Sequence, residues 1–122
     1  MVIMKREIIT IGKDGRIAIP ANPQMTDFEI AELFGVSVPK IRPNIRSLLK
    51  SGVCRDDHSD GGVVIGKTIY PEYYGLEMIV TLSFRINSAN ARVFREYVLK
   101  RIIANNRQQT IFISLPQSNI PN

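Results

Sequence analysis

Apolar residues recur at helical spacing over Met25–Gly52, and the rest of the chain can be read around that stretch. Thr26 is a good N-cap residue, Glu29 stands where it can close a capping box, and Met25 and Ile30 are placed for a hydrophobic staple. Ile30, Leu33 and Phe34 form one apolar stripe, and Gly35 suits the left-handed residue that ends a helix. Ser37 is positioned to cap a second helix. Its apolar face is Val38, Ile41, Ile45, Leu48 and Leu49, with Lys40, Arg42, Asn44, Arg46, Ser47 and Lys50 largely opposite. Ala31, Gly35 and Ile41 have the internal spacing of a helix-turn-helix: a small residue where the helices touch, a turn, and an apolar residue packing the second helix on the first.

The remaining elements follow from alternation and turn chemistry. Residues 3–20 predict a β-hairpin about Gly12-Lys13-Asp14-Gly15, with packing or dimer contact as its role, and Pro20–Gln24 connect it to the first helix. Residues 53–70 predict a second, wing-like hairpin, a strand at Val53–Arg55, a polar tip at Asp56–Gly62 and a strand at Val63–Tyr70. Leu76–Phe84 is apolar nearly all round, the pattern of a buried helix. Asn87 and Ser88 start another helix, running to about Ala104 with a stop at Asn105-Asn106. A strand over 110–115 and a tail over 116–122 close the chain. The expected fold is therefore α+β. It is a single domain over 1–122: a winged-helix-like helix-turn-helix over 26–51, an N-terminal hairpin, two further helices over 74–104 and a short C-terminal strand.

Two prolines complicate the second helix. Pro39 lies in its first turn, where N–H groups are unpaired anyway. Pro43 lies in its interior, where a missing N–H and a ring clash cost about 3 kcal/mol. The expectation is a helix kinked at Pro43 or one that begins there.

Charge sharpens the picture. The net charge is +5, and it is sorted along the chain. Residues 37–55 hold five basic groups and no acid. Residues 85–107 hold six basic groups against Glu96, and everything else holds five basic and ten acidic groups. Such sorting suits a polyanionic partner; solvated helix faces are the plainer reading. With 122 residues, 44% of them hydrophobic, and no long apolar run, the chain is expected to fold around a real core without spanning a membrane. The start MVIMKREI lacks the apolar core of a signal peptide, and Cys54 is the single cysteine, so a cytoplasmic setting is expected.

Asp56, Asp57, His58 and Asp60 cluster in the wing tip, but they offer the chain's only His and no second His or Cys donor nearby. No metal or cofactor is expected there or elsewhere. An enzyme acting on DNA would take Tyr73, Tyr74 or Tyr97 as nucleophile, with Arg85, Arg92 and Arg95 on a phosphate. A nucleophile needs an activating base, and only the remote His58 offers an imidazole, so no catalysis is expected. The tyrosine pair instead suits a lid over the buried helix, and Arg95 suits a structural residue bonded to carbonyls.

Two segments together resemble the bacterial RhuM family. One is the helix-turn-helix, especially Ala31-Glu32-Leu33-Phe34-Gly35, Ser37, Ile41 and Ile45. The more specific is Glu72–Ile79, then Arg85-Ile86-Asn87-Ser88, then Phe94-Arg95, similar to that family's tyrosine-pair, leucine-acid, arginine-x-x-serine and phenylalanine-arginine pattern. The likeness spans about residues 25–104, with a weaker one to the N-terminal domains of phage antirepressors. It implies a bacterial DNA-binding-type domain from genomic islands or mobile elements, and no established reaction. Pro39 and Pro43 depart from the family pattern, Tyr97-Val98 replaces its tryptophan-alanine step, and family members run much longer.

The expected function is duplex-DNA binding in transcription regulation or a mobile element. Arg42, Arg46 and Lys50 would make phosphate or base contacts, with Lys40, Asn44, Ser47 and Arg55 beside them. The alternative is an antirepressor-like protein-interaction module that does not bind DNA directly. Self-association into a homodimer is a further expected partnership; no small-molecule substrate is evident.

Overall fold

The computed structural model describes residues 7–52, 62–65 and 67–109. The fold is α+β, in the order β1 (Thr10–Ile11), β2 (Ile17–Ala18), α1 (Asp27–Phe34), α2 (Val38–Ser51), β3 (Gly62–Ile65), β4 (Thr68–Pro71), α3 (Leu76–Ser83) and α4 (Ala89–Gln109). The strands form two separate antiparallel pairs, β1 with β2 and β3 with β4. The helices build the core: α1 packs on α2 and α4, and α3 packs on α2 and α4.

Helix α1 begins as the sequence expects. Thr26 Oγ1 accepts from Glu29 N at 3.2 Å, and Glu29 Oε1 accepts from Thr26 N at 2.9 Å, so the capping box is complete. Met25 and Ile30 are both buried in the core. The helix ends at Gly35, whose φ of 67° is one that a side chain rarely adopts. Two side chains from the start of α4 satisfy its last carbonyls: Ser88 Oγ donates to Phe34 O at 2.7 Å, and Asn90 Nδ2 donates to Leu33 O at 3.1 Å. The same Ser88 hydroxyl accepts from Ala91 N at 3.1 Å and so caps α4. Phe34 and Phe94 meet edge to face with ring centroids 5.8 Å apart, worth about 1 kcal/mol beyond the area they bury.

Helix α2 is continuous from Val38 and does not begin at Pro43. Ser37 holds the extended N-cap backbone, but its side chain makes no capping bond. Pro39 lies in the first turn as expected. Pro43 is tolerated because it faces solvent: Pro39 and Pro43 are both exposed, so water can reach the Pro39 carbonyl that Pro43 leaves without a donor. The inward face, Ile41, Ile45 and Leu48, is fully buried and holds the helix to the core.

A backbone bridge ties the helical unit to the rest. Met25 N donates to Tyr74 O at 3.0 Å, and Tyr74 N donates to Met25 O at 2.8 Å. On its other side, Met25 Sδ accepts from Ile9 N at 3.4 Å, so the N-terminal segment rests on the same residue. Tyr74 is buried, as a lid would be, whereas Tyr73 is half-exposed. Burial first, then the Asp27 carboxylate, pushes the Tyr74 phenol well above its usual range and disfavours the phenolate.

Several boundaries differ from the sequence reading. The first hairpin pairs only Thr10 with Ala18 and Ile11 with Ile17, and Glu7–Ile9 precede it without pairing as strand. The second hairpin is later and tighter than expected. Val63–Tyr70 does not run as one strand: Val63–Ile65 pair antiparallel with Thr68–Tyr70, and Ile65 faces Thr68. The expected strand at Val53–Arg55, the polar tip over 56–61, and the strand over 110–115 with the tail after it lie outside the described residues; Gly62, expected in the tip, instead begins β3. Helix α3 is not buried all round: Leu76 is 37% exposed and Phe84, just past its end, is 52% exposed. Helix α4 runs past Asn105-Asn106 to Gln109, since asparagine is only a weak breaker unless the backbone turns left-handed there.

Two stability outcomes follow. Ile45→Ala should lower unfolding free energy by about 2–5 kcal/mol in urea titration, the usual result of a cavity at a fully buried site. Because the folded state keeps Tyr74 protonated, stability should fall as pH climbs past about 10, where an unfolded tyrosine ionises. Tyr74→Phe should flatten that fall in melts run across the alkaline range.

Candidate nucleic-acid interface

The inward face of α2 is consumed by the core, so its chemistry lies on the other side. Lys40, Pro43, Arg46, Ser47 and Lys50 are exposed there. Among the described residues, Lys40 and Lys50 have no side-chain partner, so both ammonium groups are available to an anion. Arg46 is exposed but oriented: its Nε donates to the Tyr70 hydroxyl at 2.8 Å, and its guanidinium lies 5.9 Å from the Tyr70 ring centroid. Tyr70 is buried on β4, so this contact fixes the hairpin against α2 and aims Arg46 along the helix surface. A shallow groove of about 380 Å³ runs between the two elements, lined by Arg46, Leu49, Lys50, Ile69 and Tyr70. Ile69 is 71% exposed at its edge.

Arg42 is paired within the fold. Its Nε lies 2.9 Å from Asp27 Oδ2, and its guanidinium sits 5.3 Å from the centroid of the Phe28 ring. The arginine side chain is 31% exposed and the aspartate 16% exposed, so the pair is half-buried and joins α2 to the first turn of α1. Asn44 also turns inward on its own helix: Nδ2 donates to Lys40 O at 3.0 Å. Arg55 lies outside the described residues.

Among the described residues, the second basic segment meets the first at one hydrogen bond. Arg85, in the α3–α4 connection, donates through NH1 to Ser47 Oγ at 3.2 Å. Nothing in the local sequence marks Arg85 as part of the α2 face; the fold brings it there. Arg95 is structural, as its sequence context suggests, donating to the carbonyls of Ser83 and Ile86. Arg101 lies over the Tyr97 ring, with its guanidinium 5.8 Å from the centroid. Tyr74 is buried, with its phenol pushed well above its usual range, and Arg95 is bonded to carbonyls. Among the described residues, no group of three or more His, Cys, Asp or Glu side chains could hold a metal ion, and no helix is long and apolar enough to cross a membrane.

The arrangement offers a narrow exposed strip with positive charge from Lys40, Arg46, Lys50 and Arg85, backed by a core-anchored helix. The stabilities of variants should separate the two kinds of basic residue. Arg42→Ala should lower stability by about 1 kcal/mol, through loss of a partly screened ion pair and its ring interaction. Lys50→Ala should leave the melting temperature within experimental error.

Compared with known protein families, curated proteins and solved structures, the chain matches none.

Proposed function

We propose that this chain is a duplex-DNA-binding module in which α2 serves as the recognition helix of a helix-turn-helix. In this reading the β3–β4 hairpin, the next described element in chain order, serves as the wing of a winged helix. The observation that carries this reading is the division of α2 into two faces. Ile41, Ile45 and Leu48 are buried, while Lys40, Arg46, Ser47 and Lys50 are exposed on the other side, with Arg85 reaching the same strip. The resemblance to the RhuM family points the same way and suggests a transcriptional regulator or mobile-element protein.

In this reading Arg46 and Lys50 contact phosphates or base edges, Lys40 and Arg85 flank them, and Arg42 positions the helix through Asp27. A second reading, a protein-interaction module of the antirepressor kind, is favoured by one observation. Leu99, Ile102 and Ile103 are all exposed on the far part of α4.

Fluorescence anisotropy on a random-sequence duplex across a salt series decides between them. DNA binding predicts an affinity that falls linearly on a log–log plot, with the slope reduced by about 0.9 for each phosphate interaction removed, as by Lys50→Ala. Absence of binding at low salt would sink the DNA reading. Concentration-dependent self-association removed by Ile102→Lys would then favour the interaction module.

A further inference from the structure

The exposed strip of α2 is not uniformly polar. Pro39 and Pro43 are both exposed and lie four residues apart, so they share one side of the helix's first half. Arg46, Ser47 and Lys50 continue that strip through the second half. Pro43 does no packing work that would explain an unfavourable interior proline: Ile41, Ile45 and Leu48 already anchor the helix on its inward side. A pyrrolidine ring also has no hydrogen-bond donor or acceptor to offer. In the middle of a cationic strip, its one means of discrimination is apolar contact.

In a helix that enters the major groove, the N-terminal half meets the base edges. The apolar feature on those edges is the 5-methyl group of thymine, and 5-methylcytosine carries the same group at the same ring position. Resting on the DNA-binding reading above, we infer that Pro43, with Pro39 one turn before it, contacts pyrimidine 5-methyl groups in the major groove. Arg46 and Lys50, a turn or two further on, supply the charge that holds the helix there. The preference is then for methyl-bearing steps, read without a hydrogen bond from the first half of the strip.

The test uses the full chain and one random-sequence duplex pool, synthesised with thymine or uracil and with cytosine or 5-methylcytosine. Backbone charge is identical in every pool. Replacing thymine by uracil should weaken binding about fourfold for each methyl group taken out of the interface, judged by anisotropy at fixed salt. If 5-methylcytosine restores affinity in the uracil pool, the site accepts any pyrimidine methyl; if it does not, thymine is the ligand, and both results support the inference. Pro43→Gln places a good helix former at the same position and should fold with a raised melting temperature. It should narrow the gap between the thymine and uracil pools, and with Pro39→Gln added the double variant should bind both pools alike, while keeping the parent's salt dependence. Equal affinity of the parent for thymine and uracil pools would overturn the inference and leave DNA binding standing. So would a Pro39→Gln/Pro43→Gln double variant that discriminates as the parent does, since the methyl would then act through duplex shape. Failure to bind any pool at low salt overturns the DNA reading itself, and the methyl preference with it.

Discussion

The end of α1 is the point on which the helical arrangement depends. A helix that stops inside a protein leaves carbonyls without donors, and leaving such groups dry costs about 1–3 kcal/mol each. Here the chain turns sharply at Gly35, and the donors for Leu33 and Phe34 come from Asn90 and Ser88, distant in sequence. The pairing works only if α4 begins at that spot. Once it does, Phe94 meets Phe34, and Arg95 reaches the carbonyls at the end of α3. The crossing of α1 with α2, the docking of α4 and the closure of α3 are thus consequences of satisfying one helix end. The outward direction of α2 follows from the same geometry, because Ile41, Ile45 and Leu48 have only the core side left to occupy.

Features set by neighbouring residues were legible in the sequence. The Thr26–Glu29 capping box, the Gly35 turn and the buried Ile41–Ile45–Leu48 stripe each depend on a few positions within one or two turns. Features decided by competition were less legible. Val63–Tyr70 has the composition of a long strand, yet Val63–Ile65 pair back on Thr68–Tyr70, which gives the backbone groups partners that an isolated strand would lack. Leu76 and Phe84 carry the composition of core residues, but a helix as short as α3 has only one side against α2 and α4. Pro43 shows the reverse. A penalty counted from propensity alone ignores that the unpaired carbonyl faces water, so the helix continues through it.

The candidate interface was legible as a face and illegible as an inventory. Helical periodicity separates Arg42, Arg46 and Lys50 from the apolar stripe, but it says nothing about their partners. Asp27 claims Arg42, Tyr70 orients Arg46, and Ser47 receives Arg85, all through pairings between residues at least fifteen positions apart. Guanidinium groups, with several donors in a plane, are the ones the fold has tied down, whereas Lys40 and Lys50 are exposed point charges on flexible stems. The face therefore combines fixed donors with adjustable ones, a division of labour that counting charges along the chain does not predict.

Helix α4 is held very unevenly along its length. Ala91 and Phe94 near its start are fully buried, whereas every residue from Leu99 to Asn105 is exposed. At about 1.5 Å per residue, the exposed part is a cantilever of roughly 10 Å or more, standing on a clamped base. Ile102 and Asn105 have only the edge of a groove shared with Ile19, Leu76 and Val80, and a helix with so little tertiary support is marginal over so few turns. Amide exchange should therefore run as a gradient along α4, slowest beside Phe94 and quickening toward Gln109, while the clamped base opens only with the whole core.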